Sequence, residues 1–307
     1  MSTPRRHVTQ GALVPVDPAR RAVLFINPNS GGGKAQRARL ADLARERGIE
    51  PVPLPGDGLE GLIQGVVDGG ADCLGVAGGD GSLAVVASVA AAGGVPFVCV
   101  PAGTRNHFAR DLGVAPNDLV GALDAFGTAL ERTIDLGEVN GRMFVNNVSL
   151  GIYADAVRRA GYRDAKLRTL LQTAEQEAFG SGPAPPDVHL VDDCGHDQRS
   201  PAVVLVSNNP YAFERPPLRG ARPALDRGQL GIVVIDRPDG PPHRAAHAWR
   251  TRSLSIDAAG TIAAGVDGEA VALAPPLHLT IHPRALRVRI APRHARRHGL
   301  APPQPAA

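Results

Sequence analysis

Lysine is almost missing from this 307-residue chain: of its 33 basic residues only Lys34 and Lys166 are lysines. Aromatic residues make up 4%, with one tryptophan, three tyrosines and seven phenylalanines, so there is no series of stacking side chains for single-stranded nucleic acid. A formal net charge of +3 is too small to attract a polyanion, and nucleic acid is excluded as an expected partner. The three cysteines, Cys73, Cys99 and Cys194, are odd in number and far apart. They cannot build a disulfide framework and point to the reducing interior of a cell. The opening "MSTPRRHVTQ" has no apolar core, so no signal peptide is expected. The longest weakly charged run, 81–109, is interrupted by Gly93-Gly94 and two prolines, which predicts no membrane-spanning helix. No repeat of solenoid length is present. What remains, 43% hydrophobic and 21% charged residues, describes a globular chain long enough for two cores.

The first half alternates strand and helix. "AVLFIN" is an apolar strand, "KAQRARLADLARERG" a polar helix ending at glycine, and "LEGLIQGVVDGG" places Leu59, Leu62, Ile63, Val66 and Val67 on one helical stripe. "DCLGVAGGDGS" followed by "LAVVASVAAAGG" repeats the strand, glycine turn and helix. "VPFVCVPAGTRNHFARDLG" does so a third time, and "APNDLVGALDAFG" is a further helix. This alternation predicts a parallel sheet with helices on its faces, and ligands of such sheets bind at the carboxyl ends of the strands. All three glycine turns lie on that edge.

After about Thr133 the pattern becomes mostly β, with an Asn140-Gly141 hairpin turn, a series of short apolar strands, and one helix over "RDAKLRTLLQTAEQEAF". The fold class is therefore α/β: a parallel-sheet domain at 20–132, then a β-sandwich-like domain at 133–292, with a cleft between them; the resemblance described below implies that the first binds nucleotide and that the second carries the catalytic acids at the cleft. The tails at 1–19 and 293–307, rich in Pro, Arg and Ala, read as disordered.

"NPNSGGGK" is not a P-loop, since Pro28 stands where a glycine and Ala35 where a hydroxyl would be needed. Its glycines still let backbone N–H groups approach an anion, and the helix that follows offers a positive end. A glycine turn without a ligand is the plain alternative. "PPHRAAHAWR" spaces His243 and His247 four apart but lacks the glutamate of a zinc helix, and Cys194 with His196 has no second ligand pair; both read as surface.

Taken together, "NPNSGGGK", "GGDGS", "PAGTRNHFARDLG", "NNVSLGIYADAV" and a late "DGEA", in that order over roughly 21–291, resemble the diacylglycerol kinase catalytic-domain family. This family includes bacterial lipid kinases and sphingosine kinases and is related to NAD kinases. The resemblance implies ATP-dependent phosphorylation of a lipid hydroxyl such as that of diacylglycerol, by a cytoplasmic protein touching the inner membrane face peripherally, with ATP and Mg²⁺ as cofactors. It places Asn27, Pro28, Ser30, Gly31, Gly78, Gly79, Asp80, Gly81, Ser82, Thr104 and Asn106 at the nucleotide, with Asp80 toward the metal, and Asp267 and Glu269 in the catalytic site. Asp267 is favoured as the base on the acceptor hydroxyl. Without the family, Asp267-Gly268 reads as a hairpin turn, and Asp80, Thr104 and Asn106 as turn or capping residues.

Several positions depart from the family pattern. Ala84 and Val85 stand where Asn-Glu is common, Ser82 replaces threonine, and His107 takes the place of an acid. A soluble small-molecule kinase of the NAD kinase type and a nucleotide-binding protein without catalysis are the alternatives. In bacterial relatives an Asp-Asp-Gly loop holds a structural Mg²⁺. Here "ALDRG" puts Arg227 beside Asp226, and either Arg227 supplies the missing positive charge by pairing with Asp226 or a nearby carboxylate, or the stretch is simply a solvated turn. Arg287 and Arg289, alternating with Leu286, Val288 and Ile290, are expected either to meet anionic headgroups or to form an ordinary strand face.

Overall fold

The computed structural model describes residues 13–55, 58–151, 187–212, 221–236 and 246–297. The helix expected at 163–179 and His243 lie outside them. Strands are numbered β1 to β17 and helices α1 to α7 along the chain.

The parallel unit forms as the apolar runs require. β2 (Ala22–Ile26), β3 (Glu50–Pro53), β4 (Cys73–Ala77) and β5 (Phe97–Val100) pair in parallel in the order β3-β2-β4-β5. β4 and β5 are buried along their whole length, as strands covered on both faces must be. α3 (Leu59–Asp68) and α4 (Asp80–Ala92) pack against each other beside this sheet. The helix expected over "KAQRARLADLARERG" is two pieces, α1 (Lys34–Arg37) and α2 (Leu40–Glu46), because Arg39 takes a left-handed φ of 50° and breaks the ladder.

β6 (Ala129–Val139) turns into β7 (Arg142–Phe144) through Asn140-Gly141, whose φ values of 47° and 83° give the expected tight hairpin. A six-stranded antiparallel sheet follows, ordered β13-β12-β11-β8-β15-β16. Its members are β8 (Asn147–Leu150), β11 (Val203–Asn208), β12 (Leu230–Ile235), β13 (Ala246–Thr251), β15 (Ile262–Val266) and β16 (Glu269–Leu273). Val148, Val206, Ile232 and Val266 from this sheet meet Leu190, Ile256, Leu279 and Ile281 from the sheet opposite in one buried cluster, a sandwich core.

The last strand, β17 (Leu277–Ile290), joins the two halves. Its first part pairs with β14 (Ser253–Ala258), its end runs parallel to β5, and β6 lies along its other edge. One continuous sheet of eleven strands thus belongs to both halves, so β6 crosses the 132/133 boundary and the chain's end returns to the first sheet.

The expected disorder does not extend through the parts of the tails that are described. β1 (Val14–Val16) pairs with β6, and the α7 helix (Pro292–Arg297) buries His294 and Ala295, with His294 Nε2 3.0 Å from Asp118. Both segments have a partner to bury against, which composition alone does not reveal. Of the two roles considered for Arg287 and Arg289, the contacts within the strand face are the ones seen. Both side chains point to Glu131, at 2.7 Å and 3.3 Å, from an interior strand of the sheet. Among the described residues no helix is long and apolar enough to cross a membrane.

Candidate active site

The order β3-β2-β4-β5 changes direction between β2 and β4, so the turns after those two strands flank the crevice where such sheets bind ligands. Side chains lock these turns together. Asn27 donates from Nδ2 to Ser82 Oγ at 3.0 Å, Ser30 Oγ accepts from the Gly79 N–H at 3.1 Å, and Lys34 Nζ donates to the Gly103 carbonyl at 2.9 Å. Gly31, at φ 56°, lies so close to the third turn that a Cβ would come 2.3 Å from the Ala102 carbonyl oxygen; a side chain there would push the turns apart. Asn27, Ser30, Gly31 and Ser82 thus tie the turns to one another, and with Pro28 and Gly78 they stand beside, not among, the residues that line the cleft. Asn106 turns inward, with a left-handed φ of 54° and its Nδ2 donating to the carbonyls of Pro101 and Pro116.

The cleft itself has a volume of about 220 Å³ and joins both halves. Gly79, Asp80 and Gly81 come from the start of α4, Thr104, Arg105 and His107 from the turn after β5, Asn146 from the β7–β8 loop, and Asp267, Gly268 and Glu269 from the β15–β16 hairpin. The thirteen-residue helix α4 presents its positive end here. Asp80 sits in that first turn, and its Oδ1 is buried with no hydrogen-bond partner among the described residues. Burial pushes the Asp80 carboxyl above the usual range, opposed by the Asn146 amide, the N–H groups of Phe108 and His107, and the Arg222 guanidinium. Asp80 lines the cleft, and a buried carboxylate oxygen with no donor of its own fits a hard cation.

Asp267 satisfies both readings of its motif. With Gly268 it forms the two-residue hairpin turn, at φ 49° and 83°, and its carboxylate turns inward to take three backbone N–H groups: Val145 on Oδ2 at 2.8 Å, and Asn146 and Asn147 on Oδ1 at 2.7 and 3.0 Å. Burial raises its pKa to about 7 and the nearby Asp80 charge adds to this, while the three N–H donors oppose the rise. Glu269 is half exposed, pairs with Arg142 at 2.9 Å, and lies over Gly81.

Two residues escaped the sequence reading. Asn146 stands in the "NN" of a quoted motif, but nothing in the string assigns it a role. Arg222 sits in a stretch of Gly, Pro and Arg that reads as loop, yet its guanidinium is fully buried. Nε donates to Asp111 Oδ2 at 2.7 Å, Nη1 to the carbonyls of Val145, Asn208 and Asn146 at 2.6, 3.0 and 3.2 Å, and Nη2 to Asn146 Oδ1 at 2.6 Å. The expectation for Arg227 is corrected accordingly. Arg227 is exposed, forms no ion pair among the described residues, and gives only its backbone N–H to Asn209 Oδ1. The buried Asp135 beside this turn accepts from N–H groups of Gly228, Arg284 and Asn209. His107, where an acid was noted as usual, has its pKa lowered to about 4 by burial, with Arg110 adding to this, so it stays neutral at physiological pH. His247 pairs with Asp236 at 2.9 Å, away from this cleft.

Residues 21–139 match the family model of the diacylglycerol kinase catalytic domain. A diacylglycerol kinase of Mycobacterium tuberculosis (strain ATCC 25618 / H37Rv) is 34% identical over 124 residues, covering 39% of this chain and 40% of that protein. A diacylglycerol kinase of Bacillus subtilis (strain 168) is 32% identical over 160 residues, 50% of this chain and 52% of that protein. The chain thus spans about half, or less, of the length of these relatives. A crystal structure of a diacylglycerol kinase from Bacillus anthracis str. Sterne superposes with a TM-score of 0.59 at 17% identity, covering 90% of this chain and 98% of that one. At that identity the likeness is one of fold. The resemblance read from the motifs therefore holds in sequence over the first half and in fold over most of the chain.

Proposed function

We propose that this chain, whose residues 21–139 carry the diacylglycerol kinase signature, is an ATP-dependent kinase that phosphorylates a lipid hydroxyl such as that of diacylglycerol. The observation that carries the reading is the cleft that sets the buried, unpartnered Asp80 oxygen and the start of α4 opposite Asp267. Phosphoryl transfer asks a protein for positioned phosphates, countercharge and a base on the attacking hydroxyl. The N-terminal N–H groups of α4 and the Gly79–Gly81 turn would receive phosphate oxygens, and Asp80 would hold Mg²⁺, whose chemistry is to neutralise charge that develops during transfer. Asp267, whose pKa burial raises to about 7 in the metal-free protein, is suited to take the acceptor's proton as its oxygen bonds to phosphorus and ADP leaves. Contact with the membrane is peripheral in this reading, and the cell interior is the expected location.

The three N–H groups held by Asp267 favour a second reading, in which this carboxylate only shapes the loop and the protein binds nucleotide without turnover. Incubation with labelled ATP, Mg²⁺ and a panel of lipid and soluble acceptors separates the readings. Label in a lipid product supports the kinase proposal, label only in a soluble product overturns the lipid acceptor, and binding without transfer favours the second reading.

A further inference from the structure

Arg222 is an unusual component for a protein interior. Its guanidinium is fully buried, it belongs to the second half of the chain, and its carboxylate partner Asp111 closes α5 (His107–Asp111) in the first. A charge removed from water persists only when paired and hydrogen-bonded throughout, and here the donors are taken by Asp111 and by oxygens of Val145, Asn146 and Asn208, with the Tyr211 ring 5.8 Å away. Two of those oxygens belong to Asn146. Its carbonyl and its side-chain Oδ1 both accept from this guanidinium, while its N–H donates to Asp267 Oδ1.

This geometry fixes the orientation of an amide that would otherwise be ambiguous. A guanidinium has no acceptor, so the Asn146 atom at 2.6 Å from Nη2 must be the oxygen. The NH₂ group is then the end not engaged by the guanidinium, and Asn146 lines the same cleft as Asp80. We infer that Arg222 is a positioning residue for the acid pair: it holds Asn146 with its amide donor toward Asp80 and its backbone N–H on Asp267. A neutral residue at 222 would release both constraints together. A lysine would retain the charge and lose the planar fork that reaches Asp111 and Asn146 simultaneously.

The inference rests on the kinase reading for its kinetic consequence and on geometry alone for its spectroscopic one. Asn146→Asp keeps an oxygen for Arg222 and removes the donor toward Asp80, so it tests the amide without emptying the guanidinium site. We expect Asn146→Asp, Arg222→Lys and Arg222→Met each to lower kcat by about tenfold to hundredfold, the scale of a lost hydrogen bond to a charged group, with the acceptor KM unchanged. The Arg222→Met, Asn146→Asp double variant should be no worse than the poorer single one. In ¹⁵N spectra, the side-chain NH₂ signals that vanish in Asn146→Asp should be slow to exchange in the unaltered protein and fast in Arg222→Lys. Full turnover in Asn146→Asp, additive losses in the double variant, or unaltered Asn146 signals in Arg222→Lys would each overturn the inference. If the unaltered protein transfers phosphate to no acceptor, the kinase reading fails and the spectra alone decide the role of Arg222.

Discussion

Glu269 lies directly over Gly81, with its Oε1 2.0 Å from where a Cβ on residue 81 would stand. The first turn of α4 thus meets, at its glycine, a side chain arriving from the other half of the chain. That side chain is also held, from within the second half, by Arg142 at 2.9 Å.

Gly81→Ala should separate stability from activity. Alanine favours an exposed helix turn by up to about 1 kcal/mol over glycine, and the half-exposed Glu269 can swing away. The expected outcome is a melting temperature equal to or slightly above that of the unaltered protein, with turnover lowered about tenfold or more. A variant with full turnover would remove Glu269 from the working site.

Asp267→Asn should lower turnover by about 10² to 10⁴, the usual worth of a general base, measured on folded protein. Asparagine also sets an NH₂ against one of the N–H groups now held by the carboxylate, so a loss of about 1–3 kcal/mol in stability is expected as well. Unchanged turnover would leave Asp267 as a loop anchor only.

The pH dependence of stability follows from the same residue. Folded Asp267 keeps its proton up to about pH 7, whereas the ordinary carboxyl releases it near 3.8. Its contribution is thus complete below the lower value and is lost as pH rises through the upper one, at a limiting slope of about 1.4 kcal/mol per pH unit. Urea midpoints of the nucleotide-free protein should fall across this window relative to Asp267→Asn. Parallel curves for the two proteins would contradict the assignment.

Glu131 carries Arg287 and Arg289 together, with only about a tenth of the Glu131 and Arg289 side chains exposed. Glu131→Gln leaves a poorly solvated guanidinium without countercharge and should cost about 1–3 kcal/mol by chemical denaturation. Binding to anionic vesicles should not change in Arg287→Ala, because that arginine is engaged within the sheet; a clear loss in sedimentation would restore it to a membrane role.

Melts of nucleotide-free Asp80→Asn protein, in which the cleft carboxylate is removed, should coincide with EDTA and with added Mg²⁺. The turn at 225–228 carries its buried carboxylate, Asp135, on N–H groups, and the buried cation nearby is the fixed guanidinium of Arg222. A Mg²⁺-dependent rise in midpoint would mean that a structural metal site is present after all.

The periodicity of apolar residues determined the parallel sheet and the succession of its turns, because a strand covered on both faces must be apolar throughout and a glycine turn must follow where the chain reverses toward a helix. Asn140-Gly141 and Asp267-Gly268 likewise determined their hairpins, since few other pairs accept two positive φ angles. Tertiary structure decided which of the motif residues face the cleft. Asn27, Ser30 and Ser82 are polar residues on turns, indistinguishable in sequence from ligand contacts, and their side chains bond to neighbouring turns, while Asn106 gives its Nδ2 to Pro101 and keeps its buried Oδ1 without a partner among the described residues. It also decided that the last strand returns beside β5 and that Arg222, not Arg227, is the buried cation. Both depend on contacts between residues far apart in the chain, and a linear pattern carries no information about which distant oxygens will surround a given guanidinium.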